Sequence, residues 1–372
     1  MPDRIRVLWL IKSLGPGGAE QLLVSAAKVR DRTRFDYEAA YLLGSKNTLV
    51  APLEELGVRV RCLDAPAGYR LGWLRSLHAL LVRERYDIVH CHSPYVAGST
   101  RLLVRCMPRR IRPQLVYTEH NNWSSYALPT RLVNALTYPL DQAALAVSQD
   151  VRASVWPWLR TRVRIVVHGV LLEEVVRHRS LRADARAELG VRPDDVLVGT
   201  VANLRTQKGY PDLLSAAREV LARNPSVRFV AVGQGPLEAE ITALHRALGL
   251  GERFRLLGYR PDALRVLAAC DVFVLASLRE GFPLAIMEAM ALGVPTVATA
   301  VGGVPQAITE GVEGLVVPPA RPDRLAAAIL EFAGDAQRRA AMSRAAALRG
   351  LDFDVTRAVR TIEQTYETLS AR

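Results

Sequence analysis

The chain has 372 residues, half of them apolar and 23% charged, with a formal net charge of +12; that suits two globular domains of ordinary size and excludes a disordered or fibrous chain. No apolar run approaches the roughly 18 residues of a spanning helix, and no secretory leader precedes the first apolar run, so a cytoplasmic location is expected. Cys62, Cys91, Cys106 and Cys270 form no CxxC pair, and no His/Cys/Asp cluster has metal-ligand spacing, so buried free thiols are expected rather than a disulfide framework or a metal centre.

The first segment, Ile5–Ile11, reads as a buried strand, and it is followed by Gly15-Pro-Gly-Gly-Ala-Glu20 before a helix over Ala19–Arg30. Glycines at a strand-to-helix turn let backbone approach a phosphate. The loop is not a dinucleotide fingerprint, because position 20 is Glu where Gly is needed, and it lacks the Lys-Ser/Thr of a P-loop. A plain glycine turn is the competing reading. Further strands are expected at Tyr37–Leu43, Val58–Leu63, Asp87–His92, Gln114–His120, Ala143–Ser148 and Val163–Val167, with helices such as Trp73–Tyr86 and Pro129–Asp141 between them. This alternation predicts a parallel sheet covered on both faces. His92 and His120 end two of these strands and are expected to project into one cleft. Period two puts His90 on the face of His92, but deeper, as a packing residue.

The segment Glu173–Pro193 is charged and strandless and is read as containing the interdomain connection. Strands resume at Val196–Val201, Arg228–Val232, Phe254–Leu257, Val272–Ala276, Thr296–Thr299 and Gly314–Val317. The first closes with Val201-Ala-Asn-Leu-Arg-Thr-Gln-Lys208-Gly209, which sets Arg205 and Lys208 at a strand-to-helix turn, suited to a pyrophosphate. Val232-Gly-Gln-Gly-Pro236 and Leu257-Gly-Tyr-Arg260 follow the next two, where the backbone flanking Tyr259 and Arg260 would read a base edge. Glu280-Gly-Phe-Pro-Leu-Ala-Ile-Met-Glu288 is the most informative stretch. Glu280 sits at the carboxyl end of a strand, the edge on which open α/β sheets bind ligands. Gly281 and the amides of Phe282 and Leu284 lie at a helix N-terminus, with Pro283 in its first turn, where an anion is favoured. Glu288 lies more than a turn into that helix. Amides for phosphate and carboxylates for hydroxyls suit a nucleotide-diphosphate sugar. The last stretch, Asp354–Leu369, places Val355, Val359, Ile362, Tyr366 and Leu369 on one helical face.

Residues 1–170 carry 24 Lys+Arg against 13 Asp+Glu, whereas residues 171–372 carry 25 against 24. A basic half beside a neutral one points to an anionic partner such as a membrane face or a lipid-phosphate acceptor, with a general basic bias as the alternative. Trp73, Arg75 and the aromatic segment Trp123–Tyr138 are the surface expected to meet it. Nucleic acid is not the favoured partner.

In order and spacing, the Glu280/Glu288 element, the Lys208-Gly209 turn and the Gly302-Gly-Val-Pro305 turn resemble the retaining glycosyltransferases of family 4, which have the GT-B fold. The resemblance implies two Rossmann-like, doubly wound α/β domains facing across a cleft: an acceptor domain over 1–170, a nucleotide-sugar domain over 171–353, and a helix over 354–372 returning to the first. It implies a nucleotide-diphosphate sugar, UDP-sugar above others, and no metal. By position, Glu280 would brace the sugar and Glu288 bind the ribose. Arg205 and Lys208 would neutralise the diphosphate. Gly17 and Gly18 would close over the sugar-phosphate, and Gly233, Gly235, Tyr259, Arg260, Gly281, Phe282, Pro283 and Leu284 complete the donor side. His120 would contact the transferred sugar, with His92 and Asn121 towards the acceptor. Three positions depart from the family pattern: Asn203 stands where Arg is usual, Gln306 where Glu is usual, and His168-Gly-Val replaces Asn-Gly-Val.

The function expected is transfer of a sugar to a hydroxyl of a glycan or lipid-linked acceptor in cell-envelope synthesis, by an enzyme in the cytoplasm or on the inner membrane face. A sugar-nucleotide epimerase of the same architecture and a non-catalytic sugar-nucleotide binder are the alternatives. The broken glycine fingerprint disfavours a nicotinamide dehydrogenase.

Overall fold

The computed structural model describes residues 4–63 and 72–371. The chain divides into two compact units, residues 1–168 with 355–372, and residues 169–354.

In unit one, short runs rich in β-branched and small apolar residues form β1 (Ile5–Ile11), β2 (Phe35–Tyr41), β3 (Arg59–Cys62), β4 (Ile88–Cys91), β5 (Gln114–Glu119), β6 (Ala143–Ala146) and β7 (Val163–Ile165). All pair in parallel, in the order β3-β2-β1-β4-β5-β6-β7. The interior strands are buried on both faces, which is why they read as continuous apolar runs. The order reverses between β1 and β4, and at such a switch point the two following connections leave on opposite faces and open a crevice at the carboxyl ends. The helix Val355–Ser370 packs into this unit: Tyr366 and Leu369 join Trp9, Leu23 and Tyr37 in its core, and Glu363 accepts hydrogen bonds from the Tyr37 hydroxyl (3.0 Å) and the Asp31 amide (3.1 Å).

Unit two repeats the plan with β8 (Val196–Val201), β9 (Val227–Val232), β10 (Phe254–Leu256), β11 (Val272–Leu275), β12 (Thr296–Thr299) and β13 (Gly314–Val317). They are again parallel, in the order β10-β9-β8-β11-β12-β13, with the switch point between β8 and β11.

Four expectations need correction. All four thiols are free, but Cys62 and Cys106 are exposed and only Cys91 and Cys270 are buried. The boundary between units falls at His168/Gly169, not within 173–193. That charged segment is instead helical, over Leu172–Arg177 and Arg182–Glu188, and is part of unit two. Arg182 and Arg186 both reach Asp271 (2.6 and 2.8 Å) and donate to the Ala268 and Ala269 carbonyls, which end the helix Ala263–Ala269 before β11. Trp73 is buried, as are Trp123 and Tyr138, so none of these rings offers a surface; their apolar area is taken up in the core. Pro283 is the residue before the helix Leu284–Leu292 rather than a member of its first turn.

Candidate active site

In unit two the residues flanking the switch point meet. The turn after β8 carries Lys208, and its Nζ lies 2.5 Å from Glu280 Oε1 on the loop after β11. The Ser277 hydroxyl, buried at the end of β11, donates to the same oxygen at 2.6 Å. Ser277 is held in turn by Thr299 of β12, whose hydroxyl donates to its carbonyl. The Leu278 amide donates to Gln207 O at 2.7 Å, pinning one loop to the other. Two glycines permit this closeness. Gly209 has φ +61°, and a Cβ there would stand 2.0 Å from Ala276 O. At Gly302, φ +57°, a Cβ would stand 2.2 Å from Glu280 O; only Gly accommodates both the left-handed backbone and the contact.

The other donor-side residues are placed as follows. Gly281, Phe282 and Pro283 are buried, and the Phe282 ring packs edge-on against Phe353 at 5.8 Å between centroids. Gly281 also accepts the Gly303 amide at 2.7 Å. Leu284 opens the helix, and Glu288 is its fifth residue, partly exposed. Burial of most of its carboxyl raises the pKa to about 7. Gly233 and Gly235 lie against the backbone of Ala202 and Leu204. Arg205 is exposed on the same turn, makes no ion pair among the described residues, and its carbonyl accepts the Lys208 amide at 2.9 Å. Tyr259 is exposed too, and the Arg260 guanidinium is held through Nε and Nη2 by Asp262 (2.7 Å) and Glu188 (2.9 Å).

In unit one, Gly17 is the residue before the helix Gly18–Val29, at the carboxyl end of β1 beside the switch point. His92 follows β4 and His120 follows β5; these strands are neighbours, and the His92 Nδ1–His120 Nε2 distance is 3.1 Å. His90 is buried between the Tyr366 hydroxyl (2.5 Å) and Thr118 Oγ1 (2.7 Å), a structural role. Burial, then the adjacent ring, pushes the His92 and His120 pKa values well down, so both imidazoles are neutral at ordinary pH. Asn121 is exposed on the loop that follows.

Sequence reasoning passed over Ser277 and Glu119. Glu119 is fully buried immediately before His120 and accepts from Tyr117 (2.9 Å), Trp123 Nε1 (2.7 Å) and Tyr126 (2.6 Å). Burial raises its pKa to about 7 in spite of these three donors. The available signal was a carboxylate inside an apolar strand, which demands partners. Among the described residues no group of three or more His, Cys, Asp or Glu stands together to hold a metal ion, and no helix is long and apolar enough to cross a membrane.

Two doubly wound parallel units, each with charged or imidazole side chains gathered at a switch point, define a class, and the comparisons identify it. Residues 16–174 match the family model described as Glycosyltransferase Family 4, and residues 182–349 that described as Glycosyl transferases group 1. The D-inositol 3-phosphate glycosyltransferase of Mycobacterium marinum is 33% identical over 335 residues, covering 83% of this chain and 68% of the relative. The protein of that name from Kribbella flavida is 31% identical over 373 residues, covering 93% and 82%. The crystal structure of Anabaena HepE in complex with UDP is similar with a TM-score of 0.84 at 25% identity, over 98% of this chain and all of that one. The chain belongs to the GT-B glycosyltransferases.

Proposed function

We propose that the protein moves a hexosyl group from a UDP-sugar to a hydroxyl acceptor, with retention of anomeric configuration, in the synthesis of a cell-envelope glycan or glycolipid. The observation that carries this reading is the Lys208–Glu280 contact at the switch point of unit two. It sets a cation for phosphate beside a carboxylate for hydroxyls, the two needs that a diphosphate sugar presents side by side. Uridine is chosen because Anabaena HepE has been crystallised with UDP and with UDP-glucose. The relatives' names make a phosphorylated polyol the first acceptor to try.

In this reading Lys208, Arg205 and the amides from Gly281 to Leu284 meet the charge that grows on the departing diphosphate, and no metal is required. Glu280 holds the sugar hydroxyls and Glu288 the ribose. Gly17 and Gly18 close on the sugar-phosphate, and His120 meets the sugar. His92 and Asn121 belong to the acceptor side. The acceptor oxygen attacks on the face that the diphosphate leaves: the new C1–O bond forms as the C1–O–phosphate bond breaks, and a phosphate oxygen takes the acceptor's proton. The enzyme works in the cytoplasm, on the inner membrane face where the acceptor is lipid-linked.

The test is mass spectrometry of the protein incubated with UDP-sugars and with inositol phosphates or a native lipid extract, followed by NMR of the product's anomeric centre. A product of inverted configuration, or full turnover by Glu280→Gln with unchanged donor affinity, refutes the reading.

A further inference from the structure

The surplus positive charge of unit one has a definite address. Residues 88–118 contain Arg101, Arg105, Arg109, Arg110 and Arg112 and no Asp or Glu; residues 120–140 add Arg131 and again no acid. Arg101 is spoken for, since Asp141 accepts from it at 2.9 and 2.6 Å in the core. Arg105, Arg109 and Arg110 are exposed, and neither they nor Arg112 form an ion pair among the described residues. A hollow of about 330 Å³ is lined by Arg105, Arg109, Arg112, Gln114, Gln142 and Pro139, with no carboxylate in its wall. Arg112 is fixed there by donating to the Arg105 and Met107 carbonyls, both at 2.7 Å, and its Nε is buried without an acceptor among the described residues. Gln114 starts β5 and Gln142 directly precedes β6, so the hollow opens at the amino edge of the sheet, the opposite edge from His92 and His120.

Beside it stands an apolar face. The helix Leu128–Thr137 exposes Leu128 (60%), Leu132 (42%), Val133 (44%) and Leu136 (79%), which fall within an arc of about 140° at 3.6 residues per turn. Its inner face is held by Arg101, which donates to Asn134 Oδ1 (2.7 Å) and Thr137 Oγ1 (3.1 Å). The helix runs from the end of β5 back to the amino edge, and Pro139 and Leu140, just past its end, line the hollow.

We propose that this surface docks on an anionic bilayer: the arginine hollow receives a lipid phosphate, and the leucine face lies at the boundary between headgroups and acyl chains. Charge complementarity selects an anionic partner, and four large aliphatic side chains in water beside an acid-free basic hollow select lipid over nucleic acid, which offers no apolar layer to bury them. The inference deepens the reading of a lipid-linked acceptor, yet vesicle binding is measured without turnover, so either can fail alone.

The full chain is sedimented with vesicles of phosphatidylcholine alone and with about one-third phosphatidylglycerol. Binding is expected only to the anionic vesicles, with release in about 1 M salt, where the Debye length is about 3 Å. Leu132→Ser/Leu136→Ser should weaken partitioning about tenfold. Arg110→Gln, outside the hollow, should weaken it about fivefold, as for one surface charge; Arg109→Gln, inside it, should weaken it more. Thermal midpoints and UDP binding of the variants, unchanged from the parent, show that they fold. Equal binding to both vesicles, no effect of the leucine pair, or tighter binding to a short RNA than to the vesicles overturns the proposal. An Arg109→Gln effect no larger than that of Arg110→Gln removes the hollow from it.

Discussion

Glu288→Gln should make unit two more stable in alkali and leave it unchanged in acid. The carboxyl stands at about 7 in the folded protein against 4.5 for an ordinary glutamate, raised by burial. A raised carboxyl pKa means that the fold prefers the protonated form. Its contribution is therefore fully present below pH 4.5 and is lost as pH rises through 7. At about 1.4 kcal/mol per pH unit the loss is about 3 kcal/mol, and residual solvent contact at Glu288 reduces it to about 1.5–3 kcal/mol. Glutamine is neutral at every pH and keeps the shape. At about pH 8 it should raise the melting temperature by about 3–12 °C, taking about 2–4 °C per kcal/mol for a unit of this size, and at about pH 5 by much less. Scanning calorimetry of both proteins at the two pH values is the assay, and isothermal titration with UDP is its companion, because loss of a ribose acceptor should weaken binding while stability rises. A stability difference that does not change with pH, or a variant less stable than the parent in alkali, would show that the carboxyl is not held in a poorly solvated position.

Lys208→Met should lower kcat by about 100–1000-fold, the usual effect of removing one group that meets developing charge, and stopped-assay kinetics with a saturating donor will measure it. Gly209→Ala meets both the positive φ and the Ala276 carbonyl; it should cost more than about 2 kcal/mol in urea unfolding and reduce transfer, because the backbone that aims Lys208 must shift. Arg101→Met leaves Asp141 buried without its partner and should destabilise unit one by about 3–5 kcal/mol, while the double variant Arg101→Met/Asp141→Leu recovers much of the loss, as read from urea midpoints.

The interior strands were legible because parallel strands buried on both faces must be apolar. Lys208 and Glu280 were legible for a related reason: each lies on the loop that follows such a strand, and the switch point joins the two carboxyl ends. Contacts made by tertiary packing were not legible. Composition marked 173–193 as a linker, yet Arg182 and Arg186 bury their charge on Asp271 and the carbonyls before β11. Trp73 was read as exposed because helical periodicity gives a face and not its neighbour. Ser277 and Glu119 carry no pattern at all; their importance lies in which atoms their oxygens reach.

His92 and His120 share a single hydrogen across their contact, and the arrangement is not symmetrical. Among the described residues His92 Nε2 is buried with no partner, and an orphaned N–H is costlier there than a bare lone pair. The hydrogen of His92 therefore belongs on Nδ1, pointing at His120 Nε2, which becomes the acceptor. A neutral His120 must then carry its own hydrogen on Nδ1, so a molecule that meets that atom is required to bring a lone pair. The surroundings of one ring thus dictate the polarity of the next.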